Sequence, residues 1–140
     1  MKHAAKIRFE LNKKDKRVRL GAVLKKLEKI LSGEFKKSGI ISVAFVSNKE
    51  SRGLNRAYRK KDKAADILTF AFNDSNGFLG EILLSYDGLK IRAKASGKSI
   101  LETAAYLIIH GACHIFGYTH KKKNDTLKME AKEQKILKQL

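Results

Sequence analysis

The 140-residue chain has no proline, no tryptophan, a single cysteine and only 14 acidic residues against 31 lysines and arginines. Each shortage excludes something. Cys113 alone cannot form an internal disulfide, which rules out the disulfide-framed scaffolds and fits a reducing cytosol. No apolar run approaches the ~18 residues that a membrane-crossing helix needs. The opening MKHAAKIRFE alternates like a strand and lacks the long apolar centre of a signal peptide. A cytoplasmic protein with no membrane partner is therefore expected. The missing proline and the abundant lysine both fit a biased genome. The shortage of acids leaves a formal charge of +17. A small domain this basic concentrates polyanions around itself, and nucleic acid is the default partner. A membrane surface fits less well, because no helix joins a basic face to a broad apolar one.

Hydrophobic residues make up 43% of the chain, enough for one domain, residues 1–140, to fold around a core. Residues 4–10 alternate around Ile7 and Phe9 and predict a first strand. The basic stretch 12–17 predicts a loop that does not pack. Leu20, Val23, Leu24, Leu27, Ile30 and Leu31 recur at helical spacing, predicting a helix over about 17–33 with Gly33 as its stop. The β-branched run 40–46 predicts a central strand. Ser47 and Glu50 have the capping-box form, so a second helix carrying Leu54, Asn55, Tyr58 and Arg59 is expected there. Stretches 66–72 and 79–85, separated by a turn-forming 73–77, predict a hairpin.

Residues 87–96 are weakly helical before Gly97. Ser99 and Glu102 make a second capping box, opening a helix that runs to about Phe116 and is apolar almost all round. Such a helix is expected to be central and buried. Residues 121–125 predict a loop, with Asp125 as N-cap of a last helix ending at Leu140. The order implies a single α+β domain with a mostly four-stranded mixed sheet, packed with helices around the histidine-bearing one.

Three of the four histidines, His110, His114 and His120, fall within eleven residues. The first two lie four apart on the buried helix, so both imidazoles share one face about one turn apart. A lone histidine in such a place is ordinarily a hydrogen-bonded core residue. Gly117 can end the helix in a left-handed conformation and return His120 toward the other two. The pattern is H-x-x-x-H-x-x-G-x-x-H, the zincin spacing of the metzincins. It predicts one zinc ion per chain, held by three histidines with a fourth position open, which is the catalytic arrangement. Nickel, copper and iron are compatible by ligand type. Zinc peptidases of this spacing place a glutamate after the first histidine as general base, and here that residue is Gly111. Peptide hydrolysis by that route is therefore not expected. Phosphodiester cleavage needs charge stabilisation and an activated nucleophile, and RNA brings its own 2′-hydroxyl.

Residues 110–120, HGACHIFGYTH, resemble the H-G-x-x-H-x-x-G-Y-[DT]-H signature of the YbeY family of bacterial rRNA maturation factors, regarded as metal-dependent endoribonucleases. A second block agrees: LNRAYRKKD at 54–62 followed by DILTF at 66–70 is similar to the family's L-N-x-x-[FY]-R-x-K-D and its following strand. GEILLS at 80–85 resembles a third, G-[DE]-I-x-[IL]-S. The blocks occur in the family's order over most of the chain. The resemblance implies an α+β fold, zinc on His110, His114 and His120, and a functional arginine at Arg59. It also implies endonuclease action on ribosomal RNA, near the 3′ end of the small-subunit RNA, and association with the small subunit and ribosome-assembly proteins. Thr119 stands where the family mostly has aspartate, weakening an outer partner for the metal. The prolines usual in the stretches 63–65 and 69–71 are missing.

With that resemblance Arg59 is assigned as a clamp for phosphate, a use that suits a forked guanidinium. Lys61 adds a point charge, and Asp62 either orients Arg59 or caps a turn. Lys121, Lys122 and Lys123, beside His120, are ordinarily a solvated loop and otherwise contact RNA phosphates. Cys113 points about 100° away from His114 and reads as a small core residue. Met129 packs the last helix in this reading. Glu81 and Asp66 are candidate proton carriers, although strand and loop carboxylates are ordinarily structural. The leading expectation is a zinc-dependent, single-strand-specific endoribonuclease acting on ribosomal RNA, with no DNA substrate. Its rivals are a non-catalytic RNA-binding assembly factor with structural zinc, and a metal-dependent hydrolase of another substrate.

Overall fold

Nine elements follow one another along the chain in the computed structural model, which describes residues 5–140. They are β1 (Ile7–Lys13), α1 (Gly21–Phe35), β2 (Gly39–Val46), α2 (Asn48–Arg59), β3 (Ile67–Ala71), β4 (Phe78–Ser85), α3 (Tyr86–Ser96), α4 (Ile100–Ile115) and α5 (Lys123–Leu137). The four strands form one mixed sheet in the order β1-β2-β4-β3. β1 and β4 both run parallel to β2, and β3 returns antiparallel to β4 as the expected hairpin. The α+β architecture matches the sequence reading. Among the described residues, no helix is long and apolar enough to cross a membrane.

The sheet has two unlike faces. Ile41, Val43 and Phe45 of β2, with Ile82 and Leu84 of β4, point into the main core with Leu24, Leu27 and Leu31 of α1 and the apolar side of α4. Ala44, Leu68 and Leu83 face the other way, where Leu54 of α2 covers them. Helix α4 is the buried centre that its composition requires. Ten of its sixteen residues are buried, and its capping box is complete, with Ser99 and Glu102 each satisfying the other's backbone N–H.

Several local expectations differ from the structure. β1 continues through Asn12 and Lys13, because Leu11 and Lys13 still find partners in Val43 and Ala44 and the Asn12 amide donates to Ser42 Oγ at 2.6 Å. Residues 12–17 stay largely exposed as expected, although the Arg17 guanidinium lies 3.6 Å from the centroid of the Tyr86 ring. Helix α1 starts at Gly21 rather than 17, and Val18 and Leu20 are buried in the loop before it. Gly33 sits inside α1, which ends two residues later where Lys36 turns left-handed at φ 50°. Lys122, not Asp125, caps α5; Asp125 falls within the first turn, where its charge complements the helix dipole. Ala4, the first residue of the predicted β1, lies outside the described residues.

Candidate functional site

His110 and His114 occupy the last turns of α4. Their rings meet at 4.7 Å between centroids, and the two Nε2 atoms lie 3.2 Å apart. The chain beyond them reverses as the glycine suggested. Gly117 takes φ 98°, a conformation that disfavours any side chain, and its N–H donates to the His114 carbonyl at 3.0 Å. The Tyr118 N–H donates back to the Cys113 carbonyl, also at 3.0 Å. This reversal brings His120 to 4.9 Å from the His114 ring and 5.8 Å from that of His110. One ligand nitrogen from each of the three lies within 4.8 Å of the others, so the group could hold a metal ion.

The outer nitrogens decide what the inner ones can do. His110 Nδ1 meets the Glu133 carboxylate at 2.5 Å, and His114 Nδ1 meets the Tyr118 carbonyl at 3.0 Å. A carbonyl only accepts, so the proton of His114 sits on Nδ1; an ionised Glu133 imposes the same on His110. Both Nε2 atoms are then lone pairs facing each other with no proton to share. A tetrahedral zinc with ligand bonds of about 2.0–2.1 Å separates two nitrogens by roughly 3.3 Å, close to the spacing found. Burial holds the His114 pKa below its ordinary value, with the neighbouring His110 adding to the effect. The imidazole thus stays neutral, as a ligand must. The donor set fits an ion such as zinc.

Glu133 is the residue that sequence reasoning missed. It is only 3% exposed, on the face of α5 that also buries Met129 and Ile136. The signal was present: positions 129, 133 and 136 share one helix face, and a carboxylate between two apolar residues requires a buried partner. Tyr106 Oη lies 3.5 Å from its other oxygen. A carboxylate behind a ligating histidine fixes the ring and raises its basicity.

An open cleft of about 540 Å³ stands in front of the histidines, lined also by Arg59, Asp66, Ile67, Thr69, Ala71, Arg92 and Leu107. Arg59 is exposed at the end of α2 and lines an adjoining recess together with Lys61. Lys121, Lys122 and Lys123 are exposed, but none lines the cleft. Asp62 does not orient Arg59: its carboxylate takes both forks of Arg52, at 2.9 and 3.0 Å. Asp66 reaches the cleft already paired with Arg92 at 2.8 Å. Glu81 pairs with Phe70 in the register, one residue out of phase with Ile82, and so points to the opposite face of the sheet. It is not a proton carrier for this cleft.

Gly111 has a packing reason as well as a chemical one. A Cβ there would stand 3.0 Å from Thr69 Oγ1 and 3.1 Å from Ile82 Cδ1, so α4 rests directly on the sheet. Cys113 is fully buried, with its thiol pushed up to about 12 by desolvation, and is a core residue as expected. Met129 packs α5, also as expected.

Comparison with known proteins agrees with this architecture. The family model described as Endoribonuclease YbeY matches residues 8–140. The Endoribonuclease YbeY of Carboxydothermus hydrogenoformans is 36% identical over 103 residues, 72% of this chain and 72% of that protein. That of Cupriavidus metallidurans is 38% identical over 118 residues, 83% of this chain and 60% of that longer relative. A solution structure of a Thermotoga maritima protein is similar at a TM-score of 0.69 and 26% identity, covering 95% of this chain and 87% of the other. The family model covers nearly the whole chain, and these relatives are more than a third identical over most of it, so the chain belongs to the Endoribonuclease YbeY family.

Proposed function

We propose that this protein is a zinc-dependent endoribonuclease, specific for single strands, that matures ribosomal RNA near the 3′ end of the small-subunit RNA. The observation that carries the reading is one cleft holding three convergent imidazoles and an arginine. Imidazole nitrogens of preset tautomer favour zinc, one per chain, and the open cleft before them suits a catalytic rather than a closed structural site. When bound, the ion supplies positive charge that polarises a phosphoryl oxygen and acidifies water.

The chain's own residues do the rest. His110, His114 and His120 hold the ion, while Glu133 and the Tyr118 carbonyl keep two of the rings in the ligating tautomer. Arg59 donates from its fork to the non-bridging oxygens of the scissile phosphate and meets the charge that grows there. Lys61, beside it, adds a second cation for a neighbouring phosphate. Lys121, Lys122 and Lys123 contact the RNA outside the cleft. The +17 charge gathers RNA from solution before docking. The partners are ribosomal RNA, the small subunit and its assembly proteins in the cytoplasm, with no DNA substrate.

The test is cleavage of a precursor small-subunit RNA by the wild type, Arg59→Ala and His114→Ala proteins, with and without chelator. Expected are zinc-restored cleavage by the wild type, loss of zinc and activity in His114→Ala, and loss of activity alone in Arg59→Ala. Equal rates in all three would reject the assignment.

A further inference from the structure

On the sheet face away from the histidines, α2 covers only part of the surface. Two rungs of side chains run across the remainder. One carries Arg8, Ile40 and Phe78 in register across β1, β2 and β4, and the Phe72 ring continues it at 5.2 Å from that of Phe78. The next carries Glu10, Ser42, Glu81 and Phe70 across all four strands. Tyr58, from the last turn of α2, stands edge-on to Phe70 at 5.4 Å. Tyr58 is 68% exposed and Phe72 57%, among the most exposed large apolar side chains described. Neither ring is needed to fill the core, and exposed rings held against fixed rings present flat π-faces to solvent.

We infer that this aromatic row, Tyr58–Phe70 and Phe72–Phe78, is a platform on which unpaired bases of the RNA substrate stack. Three observations favour nucleobases. Rings spread over an open four-stranded sheet are a general solution for single-stranded RNA, because every base offers a π-face whatever its sequence. The charge around the row is arranged for a polyanion: Arg8 ends the first rung, and exposed Arg56, Arg59 and Lys60 flank Tyr58 on α2 and its cap. The row also joins the cleft, since Tyr58 and Arg59 are consecutive and Arg59 lines the histidine site on the far side of edge strand β3. A strand of RNA crossing that edge would have its phosphate at Arg59 while its neighbouring bases lie on the rings. Glu10 and Glu81 stand in the second rung itself and repel phosphate there. They leave that position to base edges, whose amino groups can donate to Glu81.

This inference rests on the proposed RNA substrate, so the experiment separates the two. In the His114→Ala protein, which does not cut, binding of an oligoadenylate of about eight nucleotides is compared with that of an abasic ribose-phosphate chain of equal length, by fluorescence anisotropy at fixed salt. Tyr58→Leu and Phe72→Leu keep apolar bulk at exposed positions and remove the π-face; a melting curve for each confirms the fold. Each substitution is expected to weaken oligoadenylate binding roughly tenfold while leaving the abasic chain within about twofold. Unchanged oligoadenylate affinity in both variants overturns the platform, and so does an equal loss for both probes. Retained base binding with loss of a protein from ribosomal pull-downs overturns it in favour of a protein contact. In each of those outcomes RNA cleavage by the otherwise wild-type protein continues. Absence of binding to either probe together with absence of cleavage by the wild-type protein removes the RNA reading itself.

Discussion

The two sides of the cleft are built in opposite ways. Helix α4, which carries His110 and His114, buries ten of sixteen residues and has its ligand rings tied to a buried carboxylate and a carbonyl. Helix α2, which ends in Arg59, buries only Ser51 and Asn55 of its twelve residues; these two tie it to the adjoining loop at Ala65 and Lys63, and the rest of that contact is exposed ion pairs. One side is dry and preorganised, the other wet and adjustable. The division suits the two proposed tasks: ligand geometry must be fixed to within a few tenths of an ångström, whereas an arginine meeting a flexible polyanion gains from reach.

Removing the exposed side should cost the most catalysis and the least structure. Arg59→Ala is expected to lower the cleavage rate on precursor RNA roughly 100-fold, the scale of deleting one donor to transition-state charge. Zinc content by elemental analysis and the melting midpoint should match the wild type. Arg59→Lys should recover only part of the rate, since a single ammonium cannot grip two oxygens at once. A fall in metal content in either variant would erase the contrast between the two sides.

The buried side should respond in the opposite currency. Glu133→Gln keeps the shape of the side chain and removes the carboxylate that holds the His110 ring at Nδ1. Zinc affinity in a chelator competition is expected to weaken about 10- to 100-fold. Binding of a single-stranded RNA should hardly move, because Glu133 is buried behind the ligands. Equal losses in zinc and RNA affinity would show that the two sides are mechanically coupled.

The same contrast governs what the sequence revealed. The histidine side was readable because its constraints are local: a four-residue spacing on an apolar helix, a glycine at the turn and a capping box are all adjacent in the chain. Arg59 was singled out only through its block resemblance, since an arginine among lysines has no local signature of use, and what the fold adds is its place at the cleft. Glu133 acts across 23 residues of separation on His110. Its sole trace was a charge on the apolar side of α5, which a search for ligand spacing passes over. Asp62 and Glu81 failed for a related reason. Proximity in sequence offered Arg59 to Asp62, and residue type alone offered Glu81 as a proton carrier. The loop fold gave Asp62 to Arg52, and strand alternation turned Glu81 away from the cleft, leaving it the structural role that strand carboxylates ordinarily have. The extent of β1 and the start of α5 were displaced by pairing and capping that no single segment encodes.

A smaller effect concerns how α5, with Glu133, is held against the rest. Glu34 of α1 accepts from Lys132 at 2.9 Å and from Gln139 at 3.0 Å, and its carboxyl is lowered from 4.5 to about 2, chiefly by the Lys132 hydrogen bond. A carboxyl depressed on folding contributes stability that is complete above its unfolded pKa and is lost as pH falls from about 4.5 through about 2. Glu34→Gln should therefore reduce the unfolding free energy at pH 7 by about 1–2 kcal/mol after allowance for screening. It should also flatten the acid limb of a stability–pH curve in that window. An unaltered acid limb would show that α5 is held by its apolar face alone.

The smallest expected effect tests the exposed side on its own terms. Asp62 was a candidate for orienting Arg59, yet its carboxylate is engaged by Arg52, with Arg56 at 3.9 Å. Arg52 holds the Asp62 pKa below its ordinary value by hydrogen bonding, although both groups stand more than half open to water. Exposed pairs of this kind contribute little, because solvent and salt screen them and two long side chains must be ordered. Asp62→Asn should leave the melting midpoint within about 1 °C and the cleavage rate within about twofold of wild type. A rate loss approaching that of Arg59→Ala would mean that the Arg52–Asp62 pair fixes the arginine's direction through the loop. The wet side would then be as preorganised as the dry one, and the contrast between them would be one of burial rather than of rigidity.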